Sequence, residues 1–384
     1  MENTEIKRER AVLAGLSAAS MDESERSTEI SMEELAALVD TAGGDTVAII
    51  MQSRPTPDPR SFIGDGKVRE MKELIAMNDC DLAVFDNELT PSQMRVLSEE
   101  LGVKVLDRSG LILDIFAQRA RTKEGRLQVQ LAQYEYLLPR LTGMWTHLKR
   151  QAGTSAPIGT RGPGESKLES DRRHIRRRID SLRAGLRRIE GRRLESRKRR
   201  QKDEVRTVAI VGYTNAGKST LLNRLTDAGV LAEDKLFATL DTTARGLQLP
   251  DGRTVLLVDT VGLIRRLPHH LVQAFHATLE EAATADLVLN LCDASSPDAA
   301  EHLAITETLL SDLGRGELPV LQVFNKCDRL TAENADIALP PRTADGGERL
   351  YISAKTGEGI DKLLAAIAAA LPRDREKVTV LLPF

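Results

Sequence analysis

The stretch Val208–Leu222, VAIVGYTNAGKSTLL, carries the chemistry from which the chain is best read. Val208, Ala209, Ile210 and Val211 form a strand-like run that enters Gly212. Tyr213, Thr214, Asn215, Ala216, Gly217, Lys218, Ser219 and Thr220 follow, and Leu221-Leu222 opens a helix. This is the spacing G-x-x-x-x-G-K-S between a strand and a helix, the context a phosphate-binding loop requires. Gly212 and Gly217 let the backbone turn so that successive N–H groups aim at one phosphate chain. The helix N-terminus adds its positive end. Lys218 can reach the outer phosphates, and the Ser219 hydroxyl can ligate Mg²⁺. The bland alternative is a strand-helix turn that binds nothing.

Downstream, other strand-like runs also end in polar residues, where an open α/β sheet keeps its site. After Val255–Val258 come Asp259, Thr260, Val261 and Gly262, a D-x-x-G pattern. Asp259 can hold a Mg²⁺ shell through water, and Gly262 can offer its N–H to a γ-phosphate. After Val320–Phe324 come Asn325, Lys326, Cys327 and Asp328, an N-K-x-D pattern. An ionised Asp328 is acceptor-only and suits the N1–H and 2-amino donors of guanine, a pair that adenine lacks. If Asp328 is buried, losing those partners can discriminate by roughly 10⁴-fold. The Lys326 stem can cover the base, and Asn325 can tie this loop to the phosphate loop. After Leu350–Ile352 come Ser353, Ala354 and Lys355, whose backbone can donate to the guanine oxygen. Each short pattern recurs by chance. Their order, each at a strand end, points to GTP, with ATP at most a weaker substrate. Between Asp227 and Pro250, the threonines Thr239, Thr242 and Thr243 are equal chemical candidates to complete a Mg²⁺ shell.

These loops need a sheet to hold them. The fold class expected is α/β, a P-loop domain with a mostly parallel sheet over 205–372. A small α/β unit over 1–120 and a helical hairpin over 121–204 precede it. In the first, strands are expected at Ala11–Leu16, Thr46–Met51, Leu82–Phe85 and Val103–Leu106. Helices are expected at Ser31–Thr41, capped by Ser31, at Lys67–Met77, and at Thr90–Leu101 with Pro91 at its first position. Ile63–Lys67 (IGDGK) reads as an anion site at a helix start or, equally, as a capping turn. Length (384 residues), 41% apolar and 29% charged residues describe a globular chain of two or three domains. Cys80, Cys292 and Cys327 have neither metal nor disulfide spacing, which fits a reducing, cytoplasmic setting. No signal peptide or membrane span is evident, and Leu363–Leu371 reads as an alanine-rich core helix.

The hairpin rests on two heptad seams. Leu127, Leu131, Tyr134, Leu138, Leu141, Trp145 and Leu148 are spaced 4, 3, 4, 3, 4, 3; Ile175, Ile179, Leu182, Leu186 and Ile189 are spaced 4, 3, 4, 3. Each narrow stripe suits the other, antiparallel, across a glycine-rich tip at 151–169, with Pro139 kinking the first arm. The second arm holds fifteen Lys/Arg against three acids between Arg172 and Lys202, a charge of +12 in a chain whose net charge is −3. Such density seeks polyanions, RNA more naturally than duplex DNA, since no helix-turn-helix or zinc module is present. A solvated helix face is the alternative.

Beyond these patterns the chain resembles the HflX family, GTPases of the translation-factor-related class, over nearly its whole length. The resemblance is carried by Phe85–Met94 (FDNELTPSQM), Asp107–Phe116 (DRSGLILDIF), Pro139–Trp145 (PRLTGMW), Gly159–Glu165 (GTRGPGE) and Leu168–Arg173 (LESDRR). It implies that Phe237, Ala238, Thr239, Leu240 and Asp241 are switch I, with Thr239 the Mg²⁺ ligand beside Ser219. It also implies a partner, the large ribosomal subunit and its RNA, and a role in splitting stalled or idle ribosomes under stress. Leu263 stands where many GTPases carry a water-orienting Gln. No catalytic base is therefore assigned, and hydrolysis is expected to be slow without ribosomes. Two other readings are a ribosome-assembly GTPase and a nucleotide-gated RNA switch reset by hydrolysis. The protein is expected to be a monomer. The resemblance implies a further C-terminal domain, of which 373–384, with the apolar strand Val378–Phe384, reads as the start, either truncated or naturally short.

Overall fold

A computed structural model describes residues 8–141, 163–202, 205–226, 229, 235–240, 243–266, 284–312, 319–330 and 349–372. The chain divides into two compact units. One comprises Met1–Arg193 with Glu233–Asp241 and Ile264–Ala277; the other comprises Leu194–Ala232, Thr242–Leu263 and Thr278–Phe384.

The first unit is built on four strands: β1 (Glu9–Ala18), β2 (Gly44–Arg54), β3 (Leu82–Phe85) and β4 (Lys104–Asp107). They pair in parallel in the order β2-β1-β3-β4. Helices α1 (Glu29–Ala42), α2 (Asp65–Asn78), α3 (Pro91–Leu101) and α4 (Arg108–Arg119) follow β1, β2, β3 and β4 in turn. Because the strands are covered on both faces, β1 and β3 read as continuous apolar runs, and Val12, Leu13, Val84 and Phe85 are wholly buried. All four expected strands are present, β1 and β2 extending beyond their apolar centres.

Two sequence expectations change here. Ser31 does not cap α1. Thr28 does, and Ser31 closes a reciprocal capping box, Ser31 N donating to Thr28 Oγ1 and Thr28 N to Ser31 Oγ. Helix α4 had no counterpart in the sequence reading. Its run Leu111–Phe116 is buried almost all round, which hides helical periodicity, and its start is marked only by Asp107 Oδ1 accepting from Gly110 N at 2.8 Å. The Ile63–Lys67 stretch is the opening turn of α2, with Gly64 as its N-cap.

Helix α5 (Lys123–Leu137) passes into a 3-10 turn at Leu138–Arg140, where Pro139 cannot continue the α-helical ladder. A long helix, α6, spans Pro163–Lys202. It starts inside the stretch expected as a glycine-rich tip, because proline is preorganised for a first helical turn. The heptad seams meet: Leu131, Ile179 and Leu182 are buried, flanked by Leu127, Tyr134, Leu138, Ile175 and Leu186. Fully burying each such aliphatic side chain is worth about 1.5–3 kcal/mol. The pairs Arg183–Glu135 and Arg193–Glu124 run in opposite sequence directions, so the helices are antiparallel. Trp145, Leu148 and the strand expected at Val378–Phe384 lie outside the described residues.

The second unit holds a six-stranded sheet, β10-β9-β8-β5-β7-β6. Its strands are β5 (Thr207–Gly212), β6 (Thr243–Gln248), β7 (Thr254–Asp259), β8 (Leu287–Asp293), β9 (Val320–Asn325) and β10 (Leu350–Tyr351). All pairs are parallel except β6 with β7. Helices α7 (Lys218–Thr226), α8 (Ala299–Asp312) and α9 (Ile360–Ala370) flank it. Leu363, Ile367 and Leu371 join Val208, Ile210, Leu221 and Leu257 in one core, as the alanine-rich pattern requires. Among the described residues no helix is long and apolar enough to cross a membrane.

Candidate nucleotide-binding site

Strand β5 delivers the chain to Gly212, and α7 begins at Lys218, so the loop between them faces the carboxyl edge of the sheet. A β-carbon at Gly212 would lie 2.2 Å from the Leu291 carbonyl, and one at Gly217 would lie 2.3 Å from Asn325 Nδ2. Only glycine permits either approach, and Gly217 also sits at φ +94°. Asn215 takes a left-handed conformation at φ +60°, which a short polar side chain tolerates. The N-terminus of a helix such as α7 carries backbone N–H groups and a positive dipole end that favour an anion.

Lys218 is buried and donates Nζ to the Gly212 and Tyr213 carbonyls at 3.1 and 2.8 Å. Burial pulls its pKa down to about 8, against the opposing charge of Asp259. Ser219 Oγ donates to Asp259 Oδ2 at 2.8 Å. A hydroxyl and a carboxylate brought together at a buried strand end form a hard-oxygen donor set, which fits Mg²⁺. Thr260, also buried, donates to the Ile210 carbonyl at 2.8 Å and locks the end of β7 to β5. Val261 is buried, and a β-carbon on Gly262 would fall 3.1 Å from Thr214 Cα. Leu263 N donates to Gly212 O at 3.1 Å, and Thr214 N donates to Leu263 O at 2.7 Å. The Leu263 side chain turns inward among Ala209, Val211, Ala285 and Val288.

Asn325, at the end of β9, joins two loops. Its Nδ2 donates to Ala216 O at 2.8 Å, and its Oδ1 accepts from Ala354 N at 2.9 Å. Lys326 sits at φ +64° with Nζ 2.8 Å from Asp293 Oδ2. That pair fixes the ammonium and leaves the methylene stem as the surface a base could meet. Cys327 is half-buried. Asp328 is exposed, so the condition of burial is not met in the protein by itself. Its Oδ1 accepts from the buried Ser353 Oγ at 2.6 Å, and that hydrogen bond holds its carboxyl below the usual carboxylate range. Lys355 is exposed, while Ala354 is buried.

Several residues here escaped the sequence reading. Arg224 on α7 donates to the carbonyls of Ala354 and Lys355 and so braces the Ser353–Lys355 loop. Tyr213 stacks on His302 of α8 with centroids 3.7 Å apart. Asp293 had a signal, since it is the carboxylate that ends β8, but no motif marked it. The Phe237–Leu240 segment lies in the first unit, where Phe237, at φ +52° and buried, packs edge-on against Phe116 of α4 at 4.8 Å. Its ring is thus a packing anchor within that unit. Ala238, Thr239 and Leu240 follow it in that segment, and Asp241 and Thr242 lie outside the described residues.

A parallel sheet with one antiparallel edge strand, a glycine-lysine-serine phosphate loop, and guanine-directed loops joined by Asn325 define a P-loop GTPase. Residues 29–117, 119–200 and 207–326 match, in turn, the families described as GTP-binding GTPase N-terminal, GTP-binding GTPase Middle Region and 50S ribosome-binding GTPase. The chain belongs to the HflX family of GTPases. It is 48% identical over 388 residues to the GTPase HflX of Caldanaerobacter subterraneus subsp. tengcongensis, covering 100% of this chain and 86% of that one. It is 45% identical over 352 residues to that of Escherichia coli K12, covering 92% and 82%. The fold is shared with a solved GTP-binding protein, SsGBP in its GDP complex, at TM-score 0.50 and 24% identity, over 94% of this chain and 98% of that one.

Proposed function

We propose that this GTPase binds GTP and Mg²⁺ with the residues assembled above, engages the large ribosomal subunit through its RNA, and dissociates ribosomes in a nucleotide-dependent way in the cytoplasm. In this reading the backbone from Gly212 to Thr220 cradles the phosphates, and Lys218 leaves the Gly212 and Tyr213 carbonyls for the outer ones. Ser219 and Thr239 would hold Mg²⁺ directly and Asp259 through water; the ion would supply charge neutralisation at the β- and γ-phosphates. Gly262 offers its N–H to the γ-phosphate. Asp328 accepts from the guanine edge, and the backbone of Ser353–Lys355 donates to its oxygen. ATP is at most a weaker substrate.

The observation that carries the ribosome reading is the arrangement of α6. Its apolar stripe is spent on α5, while Arg173, Arg176, Arg177, Arg178, Arg187, Arg188 and Arg192 stay exposed on the remaining faces. A helix that presents this density of guanidinium groups is suited to phosphates. Sedimentation of the protein with purified ribosomal subunits, with and without a non-hydrolysable GTP analogue, tests it. Analogue-dependent co-sedimentation with the large subunit is expected, and none with either subunit would sink the reading.

The burial of Leu263 favours a second reading of the cycle. A side chain packed among Ala209, Val211 and Val288 cannot orient a water, so the chain alone would hydrolyse slowly and hydrolysis would only reset it. Ribosome splitting supported fully by the analogue would select this version; splitting that requires hydrolysis would reject it.

A further inference from the structure

In the loop that follows β10, from Ser353 to Glu358, the backbone N–H groups are committed with one exception. Ser353 N donates to the Glu358 carbonyl at 2.9 Å, and Gly357 N to the Ser353 carbonyl at 2.8 Å. Ala354 N donates to Asn325 Oδ1 at 2.9 Å. Thr356 N donates to Ser353 Oγ at 3.1 Å, and Glu358 N to Thr356 Oγ1 at 3.3 Å. The exception is Lys355, whose N–H no acceptor takes among the described residues. The residue is exposed, so this donor is open to a ligand.

The direction of that N–H is fixed through the other end of its own peptide group. A trans peptide is planar, so its C=O and N–H point opposite ways. The group that carries Lys355 N–H also carries the Ala354 carbonyl, and that carbonyl accepts from Arg224 Nε at 3.1 Å. The next carbonyl, Lys355 O, accepts from a terminal nitrogen of the same guanidinium. One rigid fork of donors therefore holds two consecutive peptide groups. The guanidinium carbon also stands 3.7 Å from the place of a β-carbon on Gly357, which turns the loop at φ +94°. A cationic donor on a carbonyl polarises its peptide group and strengthens the N–H at the far end.

Arg224 is itself exposed and lies on α7, the helix that opens with Lys218 and Ser219. Water alone could satisfy two carbonyls at the surface; what a guanidinium adds is direction. We propose that Arg224 is a positioning residue for guanine selection: by holding the Ala354 and Lys355 carbonyls it aims the Lys355 N–H at the oxygen on C6 of the base. This rests on reading Ser353–Lys355 as the loop that meets that oxygen. The contact differs from the one assigned to Asp328, which takes the N1–H and 2-amino donors. The two edges of guanine recognition thus answer to different side chains, and each can be removed without the other.

The test uses the full chain, as wild type and with Arg224→Met or Arg224→Lys, titrated with three diphosphates. GDP is compared with 6-thio-GDP, in which only the C6 oxygen is replaced, by the poorer acceptor sulfur. It is also compared with IDP, which lacks only the 2-amino group. Arg224→Met keeps an unbranched stem without donors. It is expected to reduce the preference for GDP over 6-thio-GDP by about three- to tenfold, the worth of one hydrogen bond, and to leave the preference over IDP unchanged. Arg224→Lys can hold one carbonyl only and should fall between. In the wild type, GDP should slow hydrogen exchange at the Lys355 amide, read by NMR. A merely structural role would weaken all three nucleotides by one factor and leave both ratios as they were. That result, or exchange at Lys355 that GDP does not change, overturns the proposal. If the wild type itself binds GDP and 6-thio-GDP alike, the reading of Ser353–Lys355 as a base-contacting loop fails and takes this proposal with it.

Discussion

Asn325 Nδ2 donates to the Ala216 carbonyl at 2.8 Å, so a residue at the end of β9 holds the phosphate loop 109 positions earlier in the chain. Its Oδ1 accepts from Ala354 N, so one buried amide joins the loop that meets phosphates to a loop placed to meet the base. A backbone cradle is useful only if its N–H groups already point at the ligand before it arrives, because ordering them on binding would cost conformational entropy.

Asn325→Ala leaves a buried carbonyl and a buried N–H without these partners. Each such loss costs about 1–3 kcal/mol. A lower thermal midpoint and a GTP affinity reduced by roughly tenfold or more are expected, read by calorimetric unfolding and nucleotide titration. Wild-type affinity in a folded variant would remove the clamp from the account.

Asp328→Asn preserves a hydrogen-bonding partner for Ser353 but replaces an acceptor-only carboxylate with an amide that also donates. Preference should move toward xanthosine triphosphate, whose 2-position carries oxygen. A swing on the order of 10²–10⁴-fold in relative affinity is expected in competition binding. Continued selection of GTP would contradict the base contact.

Leu263→Gln puts the usual water-orienting side chain at its usual sequence position, but into the Ala209–Val211–Val288 cluster. Burying the amide there costs about 1–3 kcal/mol. The expected outcome is a less stable protein with no gain in single-turnover GTP hydrolysis. A clear rise in hydrolysis would show that residue 263 can leave its core position.

Arg176, Arg177 and Arg178 lie exposed on α6, outside the seam formed by Ile175, Ile179 and Leu182. Replacing all three with Gln should spare folding and weaken binding to the large subunit. The slope of log affinity against log salt should fall by about 2–3 if all three meet phosphates. An unaltered slope would make this part of α6 a solvated face.

How much was legible in advance depended on the range of the physics. The phosphate loop, the D-x-x-G and the N-K-x-D were readable because each acts through a few consecutive residues at one strand end. The α5–α6 seam was readable because heptad spacing fixes a stripe whatever lies around it. Helix α4 was not, since burial on nearly all sides erases the periodicity that reveals a helix. Whether Asp328 is buried was not legible, because exposure depends on neighbours that no local pattern names.

By itself the sequence determined a guanine-nucleotide site, the parallel sheets that carry it and a basic helix with one apolar stripe. These follow from local backbone geometry, side-chain periodicity and charge, which act over a few residues. Only the tertiary structure decided that Phe237 rests on Phe116 and that Leu263 faces the core. It alone showed that Arg224 holds the carbonyls of Ala354 and Lys355. A carbonyl accepts from whichever donor the fold brings within hydrogen-bonding reach, and that reach is a property of packed chains, not of spacing along one.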